Sequence, residues 1–86
     1  MNRPVIRVND LVIPGGAVLT GSNTMIFDGR KIARKGDLVR CEEHGIQTID
    51  EGDTSFTDNG IPVALDGHAC TCGCKLRALE RNFTIG

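Results

Sequence analysis

Short β-branched and aliphatic runs alternate with turn signals along the chain, a pattern that predicts many strands of a few residues and no convincing helix. Val5, Ile6 and Val8 open an initial strand, and Leu11, Val12 and Ile13 follow the Asn9-Asp10 turn signal. Pro14-Gly15-Gly16 interrupts the run; residues 17–20 form the next strand, and Gly21-Ser22-Asn23 closes it. Residues 24–27 and 31–34 flank Asp28-Gly29, a strong short-range hairpin signal. Residues 38–41 run on from Lys35-Gly36-Asp37. Strands at 46–49, 54–57 and 61–65 then repeat the scheme, with Asn59-Gly60 as the second hairpin turn. Near Leu76 a closing strand is expected, although Leu76, Leu79 and Phe83 also suit a helical face.

The pattern contains copies of itself. Gly36-Asp37-Leu38-Val39-Arg40-Cys41 recurs 31 positions later as Gly67-His68-Ala69-Cys70-Thr71-Cys72. It also has an earlier echo in Asn9-Asp10-Leu11-Val12-Ile13-Pro14, with proline in the place of the cysteine. At the same offset of 31, Gly21 and Gly29 meet Gly52 and Gly60, positions where a positive φ is expected. A chain that repeats its turns and places cysteine at equivalent points predicts one small repeat domain over residues 1–86, with no room for an effector extension.

Composition sharpens this. Of the 86 residues 40% are hydrophobic but only 3% aromatic, so the core lacks bulk and a staple is expected. The net charge of −1 supplies no field for nucleic acid or anionic lipid, and few aromatic rings are available for base stacking. No apolar run has membrane-spanning or signal-peptide length, so the chain is expected to be cytosolic at synthesis. A reducing cytosol disfavours disulfides between its four cysteines and turns attention to metal.

Cys41-x2-His44 and His68-x3-Cys72 together offer two thiolates and two imidazoles, a donor set that suits structural tetrahedral Zn²⁺. Cys41, His44, His68 and Cys72 are therefore the expected ligands. Cys70 is a rival for Cys72, because His68, Cys70 and Cys72 would share one face of an extended strand. Its counterpart in the other copy is Val39, which favours a packed thiol. Cys74 matches Glu43, a surface type, and is expected to be a bystander. Four protein ligands leave no open position for substrate, and no nucleophile–base set, phosphate loop or carboxylate pair stands out, so no enzyme is expected.

The segments Gly21-Ser22-Asn23-Thr24, Asp28-Gly29-Arg30-Lys31-Ile32-Ala33-Arg34, Gly36-Asp37, Cys41-Glu42-Glu43-His44-Gly45 and His68-Ala69-Cys70-Thr71-Cys72-Gly73 together resemble the PAAR-repeat family, over roughly Asp10 to Leu79. The family's Pro-Ala-Ala-Arg is itself partly kept, in Lys31-Ile32-Ala33-Arg34 and Pro62-Val63-Ala64-Leu65. Where family members carry a histidine before the early Gly-Gly, this sequence has Pro14.

The resemblance implies an all-β, small conical fold of short strands with pseudo-threefold internal repeats and zinc near the apex. It further implies a cap, one per trimer, on a valine-glycine-repeat spike of a type VI secretion system or related injection machine. Such a cap would sharpen the spike for membrane puncture, touch the target membrane transiently, and leave cargo effectors to separate chains. The chain would be exported on the spike. Two other readings stand beside this one: a zinc-ribbon nucleic-acid-binding module, which would need Cys-x2-Cys knuckles, and a small thiol oxidoreductase using Cys70-x-Cys72.

Overall fold

Around a central axis the chain passes three times through the same extended conformation, and the three passes hydrogen-bond in a ring. Ile6 N–H donates to the carbonyl of Ala64 (3.0 Å), Ala64 N–H to that of Ala33 (3.0 Å), and Ala33 N–H to that of Ile6 (2.9 Å). Two residues outward the ring repeats, with Val8 donating to Lys31, Lys35 to Pro62 and Asp66 to Pro4. Three backbones converging this closely leave little room, and Ile6, Ala33 and Ala64 are all fully buried. This is the physical use of the two alanines retained from the motif.

The computed structural model describes residues 3–79 and 84–85. Its strands are β1 (Arg3–Pro4), β2 (Leu11–Ile13), β3 (Gly16–Val18), β4 (Ile26–Phe27), β5 (Arg30–Lys31), β6 (Leu38–Cys41), β7 (Gly45–Thr48), β8 (Asp53–Asp58), β9 (Ile61–Val63), β10 (Lys75–Arg77) and β11 (Thr84–Ile85). No helix occurs among the described residues, as the all-β expectation requires. The expected closing strand at Leu76 is β10; the Phe83 part of the helical alternative lies outside the described residues.

Period-two alternation divides the interior at the ring. Ile6, Ala33 and Ala64 face one cluster with Val12, Val18, Val39, Ile49, Cys70 and Leu76. Their neighbours Val5, Ile32, Val63 and Leu65 turn the other way, into a smaller cluster covered by Met25 and Phe56.

On the side of the larger cluster each pass turns through a residue with positive φ: Asn9 (75°), Gly36 (92°) and Gly67 (88°). The next residue, Asp10, Asp37 or His68, closes the turn. Its side chain accepts the backbone N–H three positions earlier, from Arg7 (2.8 Å), Arg34 (2.7 Å) and Leu65 (2.8 Å). Three hairpins then rise: β2–β3, β6–β7, and residues 69–70 with β10. They join edge to edge in the order β10-β2-β3-β6-β7, and the bridges Ile49↔Cys70 and Ala69↔Lys75 close the circuit. In β3, Gly16 (φ 136°) lies so close to β6 that a Cβ would sit 1.8 Å from the carbonyl oxygen of Arg40.

At the opposite end lie β4–β5, β8–β9 and β1–β11. The first two turn through Asp28-Gly29 (φ 53° and 79°) and Asn59-Gly60 (φ 54° and 83°), the left-handed pairs that a type I′ hairpin needs. The body measures 29 × 23 × 23 Å, with a threefold base and a closed crown of short strands. The pseudo-threefold cone expected from the sequence is the observed fold.

Candidate metal centre

Two of the three crown hairpins carry thiols at their tips. In β6–β7, Cys41 pairs with Gly45 across a loop whose return depends on the positive φ of Gly45 (74°). That loop brings His44 Nδ1 to 3.4 Å from Cys41 Sγ. In the third hairpin the chain reverses within residues 70–74. Gly73 N–H donates to the carbonyl of Cys70 (2.9 Å), Cys70 N–H donates to that of Cys74 (2.8 Å), and Gly73 supplies the positive φ.

Cys41, His44, Cys72 and Cys74 each present one donor atom, and the four atoms all lie within 4.8 Å of one another. Cys41 and Cys74 are buried, Cys72 is half-buried and His44 is exposed. Gln47 braces the group from outside. Its Nε2 donates to the carbonyl of His44 (3.0 Å), and its Oε1 accepts the Thr71 hydroxyl (2.9 Å), tying one ligand loop to the other. Outer contacts of this kind hold metal ligands in position.

The donor set fits a structural zinc ion. With Zn–S bonds of about 2.3 Å, a tetrahedral shell separates its sulfurs by roughly 3.8 Å. The Cys41 and Cys74 sulfurs, 2.9 Å apart, need only open slightly to accept an ion. Their proximity already sets the order of ionisation. The hydrogen bond from Cys74, then the one from His44, draws the Cys41 thiol down towards the thiolate. The same bond holds the proton on Cys74, whose pKa is pushed up, with burial adding to the effect.

Three of the expected ligands, Cys41, His44 and Cys72, lie together; the fourth donor within reach of them is Cys74, and His68 is not in this group. His68 Nδ1 is engaged as the acceptor for Leu65 N–H, the role Asp10 and Asp37 play in the other two turns. The sequence equivalence of Asp37 and His68 signalled this structural role. Burial, then the nearby Arg3, lowers the pKa of His68 and keeps it neutral for that task.

Cys74, expected to stand apart as a bystander, lies inside the group, and the repeat arithmetic shows why. Asp37 and His68 are 31 positions apart, but their equivalent crown partners Ile49 and Leu76 are only 27 apart, so the third hairpin is shorter and the fixed offset lapses beyond its tip. Counted back from the return strand, Cys74 lies two residues before the buried Leu76 and shares its inward face. Cys70 is the packed thiol its match with Val39 implied. It is buried in the larger cluster, and burial first, then Cys72, raises its pKa to about 11. The β2–β3 hairpin contributes no donor; the carbonyl of Gly15 accepts Glu42 N–H (3.0 Å), backing this tip onto the Cys41 loop.

A family model described as the PAAR motif matches residues 8–78. No curated protein matches the sequence. Among the described residues no helix is long and apolar enough to cross a membrane.

Proposed function

Because the chain belongs to the PAAR family, whose members are structural tips of secretion spikes, we propose that it is a zinc-pinned cap. Its base would close one trimeric valine-glycine-repeat spike of a type VI secretion system, and its crown would form the puncturing point. The observation that carries this reading is the hydrogen-bonded ring of Ile6, Ala33 and Ala64, with one basal strand pair for each segment: the hairpins β4–β5 and β8–β9, and the pairing of the chain ends in β1–β11. One chain folded this way offers three similar surfaces, one to each subunit of a trimer. Open strand ends on such a spike are prone to unwanted pairing, and a cap covers them. Ile26 and Phe27 of β4–β5, 55% and 38% exposed, are apolar material for that contact.

At the very tip of the crown, beyond the cluster of Val12, Val39 and Leu76, few apolar side chains remain, and the metal would hold the two hairpin ends together. Structural zinc contributes about 10–16 kcal/mol of apparent folding free energy in small peptides near neutral pH. A closed shell of three thiolates and one imidazole keeps the point rigid and leaves no site for catalysis. On this reading the chain is made in the cytosol, leaves on the spike, and serves cargo carried by separate chains.

Mixing zinc-loaded chain with a purified spike trimer and measuring the mass of the complex tests the proposal. One chain per trimer is expected; three chains, or no complex, contradicts it. A thiol-exchange role draws on the short Cys41–Cys74 contact and the lowered Cys41 pKa. Alkylation under saturating zinc separates the two readings: protected cysteines mark the structural site, and rapid labelling of Cys41 marks the redox one.

A further inference from the structure

The crown's outer surface is neither polar nor balanced in charge. Val12, Val18, Val39 and Leu76 point inward, so alternation sends Leu11, Ile13, Ala17, Leu19, Leu38 and Arg40 outward. Leu11, Ile13, Leu19 and Leu38 are 37%, 42%, 40% and 40% exposed. They lie over three adjacent strands, β2, β3 and β6, or just beyond the end of β3, and make one continuous aliphatic strip. Register places cations on both sides of it: Arg77 is opposite Leu11 and Lys75 opposite Ile13 on one flank, and Arg40 is opposite Ala17 on the other. The five strands of this sheet contain no carboxylate, although the whole chain has a net charge of −1. Below Leu19 the strip runs into an open groove that Val8, Asn23, Arg30 and Lys31 help to line, again without a carboxylate among the lining residues.

We infer that this strip is the docking site for a separate protein segment of complementary chemistry: an aliphatic stripe bordered by aspartate or glutamate. Charge complementarity selects that occupant. Arg77 and Lys75 on one flank and Arg40 on the other, on strands that hold no carboxylate, favour an acidic border and reject a basic one. Asp37, bonded to the Thr20 hydroxyl, is confined to the lower end of the strip. The crown's strands are joined edge to edge all round, so the segment is held by side chains and not by added strand pairing. The inference rests on the reading of the chain as a tip with separate cargo, and it places the cargo on the crown, away from the basal hairpins.

The test uses zinc-loaded full chain and two amphipathic probe peptides with the same leucine stripe, one flanked by glutamates and one by lysines. Fluorescence anisotropy gives affinities, and amide chemical-shift changes give the site. The glutamate peptide is expected to bind at least about tenfold more tightly, with shifts centred on Leu11, Leu19, Leu38 and Arg40. Arg40→Glu combined with Arg77→Glu should reverse the preference while leaving assembly with the spike trimer intact. Equal binding of both peptides overturns the inference, as do shifts confined to the basal hairpins. So does partitioning of the chain onto phosphatidylserine vesicles without discrimination between the peptides, or self-association on sedimentation that Leu38→Glu abolishes. Loss of spike assembly in the double variant also overturns it, by assigning the strip to the spike; failure of the unsubstituted chain to assemble counts against the cap and not against the strip.

Discussion

Replacing His68 by aspartate should leave metal binding intact and remove a pH dependence from the fold. His68 accepts one hydrogen bond, from Leu65 N–H at 2.8 Å, in the turn position that aspartate occupies twice elsewhere. Removing the acceptor with His68→Ala costs about 1 kcal/mol for the lost bond, or roughly 4–8 °C in midpoint for a domain of this size. His68→Asp restores an acceptor and should recover most of that loss. The pKa of His68 is lowered in the folded chain, with burial the largest cause. The unfolded chain therefore binds the extra proton first. The stabilisation is complete above the unfolded value near 6.5 and is lost as pH falls from there through the lower folded value. Thermal unfolding with excess zinc, from pH 7.5 down to pH 5, should show the midpoint of the natural chain falling relative to that of His68→Asp across this window. Acid loss of the metal is common to both chains and cancels in the difference. If His68→Ala loses its zinc, or if natural and substituted chains keep a constant separation across that range, the turn role assigned to His68 is wrong.

Other outcomes follow from the same geometry. Cys74→Ser and Cys41→Ser should each abolish stoichiometric zinc, measured by elemental analysis after dialysis. Cys70→Ser should retain zinc and lose about 1–3 kcal/mol in chemical denaturation, because it buries a hydroxyl among apolar side chains. Chelation at neutral pH should collapse the dispersed amide signals of residues 41–45 and 70–75, and restoring zinc should bring them back; unchanged spectra would mean that packing alone holds the crown. Ala64→Leu forces bulk against the hydrogen-bonded ring and should cost about 1–3 kcal/mol, read as a lowered denaturation midpoint.

The turns and the repeat were legible because they depend on local chemistry. Asp28-Gly29 and Asn59-Gly60 adopt the left-handed pairs their residue types favour. Gly21 and Gly52, where a positive φ is also expected, do not have one and are crowded instead, a Cβ lying 2.9 Å from the carbonyl oxygen of Ile32 at Gly21 and 2.6 Å from Pro62 Cβ at Gly52. The three echoes beginning at Asn9, Gly36 and Gly67 fall at equivalent levels of the cone, and Pro14 stands where the other two copies carry Cys41 and Cys72. The expected initial strand is less continuous than its β-branched residues suggest. Val5 and Arg7 make single bridges to Leu65 and Ile32, because each pass across the axis meets two neighbours in quick succession.

Ligand identity was the harder part. By residue type His68 reads as a metal donor, whereas its match with Asp37 points to the turn acceptor it is in the structure. Cys74 was hidden by a constant repeat length that the shorter third hairpin breaks, yet its parity with Leu76 pointed inward. A histidine competes for backbone donors as readily as for metal, and an offset says nothing beyond a loop whose length has changed.

The most direct test of the metal centre is X-ray absorption at the zinc edge on the fully loaded chain, repeated on His68→Ala. The account predicts one ion per chain with three sulfurs near about 2.3 Å and one nitrogen near about 2.0 Å, the same in both proteins. A shell of two sulfurs and two nitrogens that loses a nitrogen in His68→Ala, or a chain that binds no zinc and keeps its crown, would contradict it.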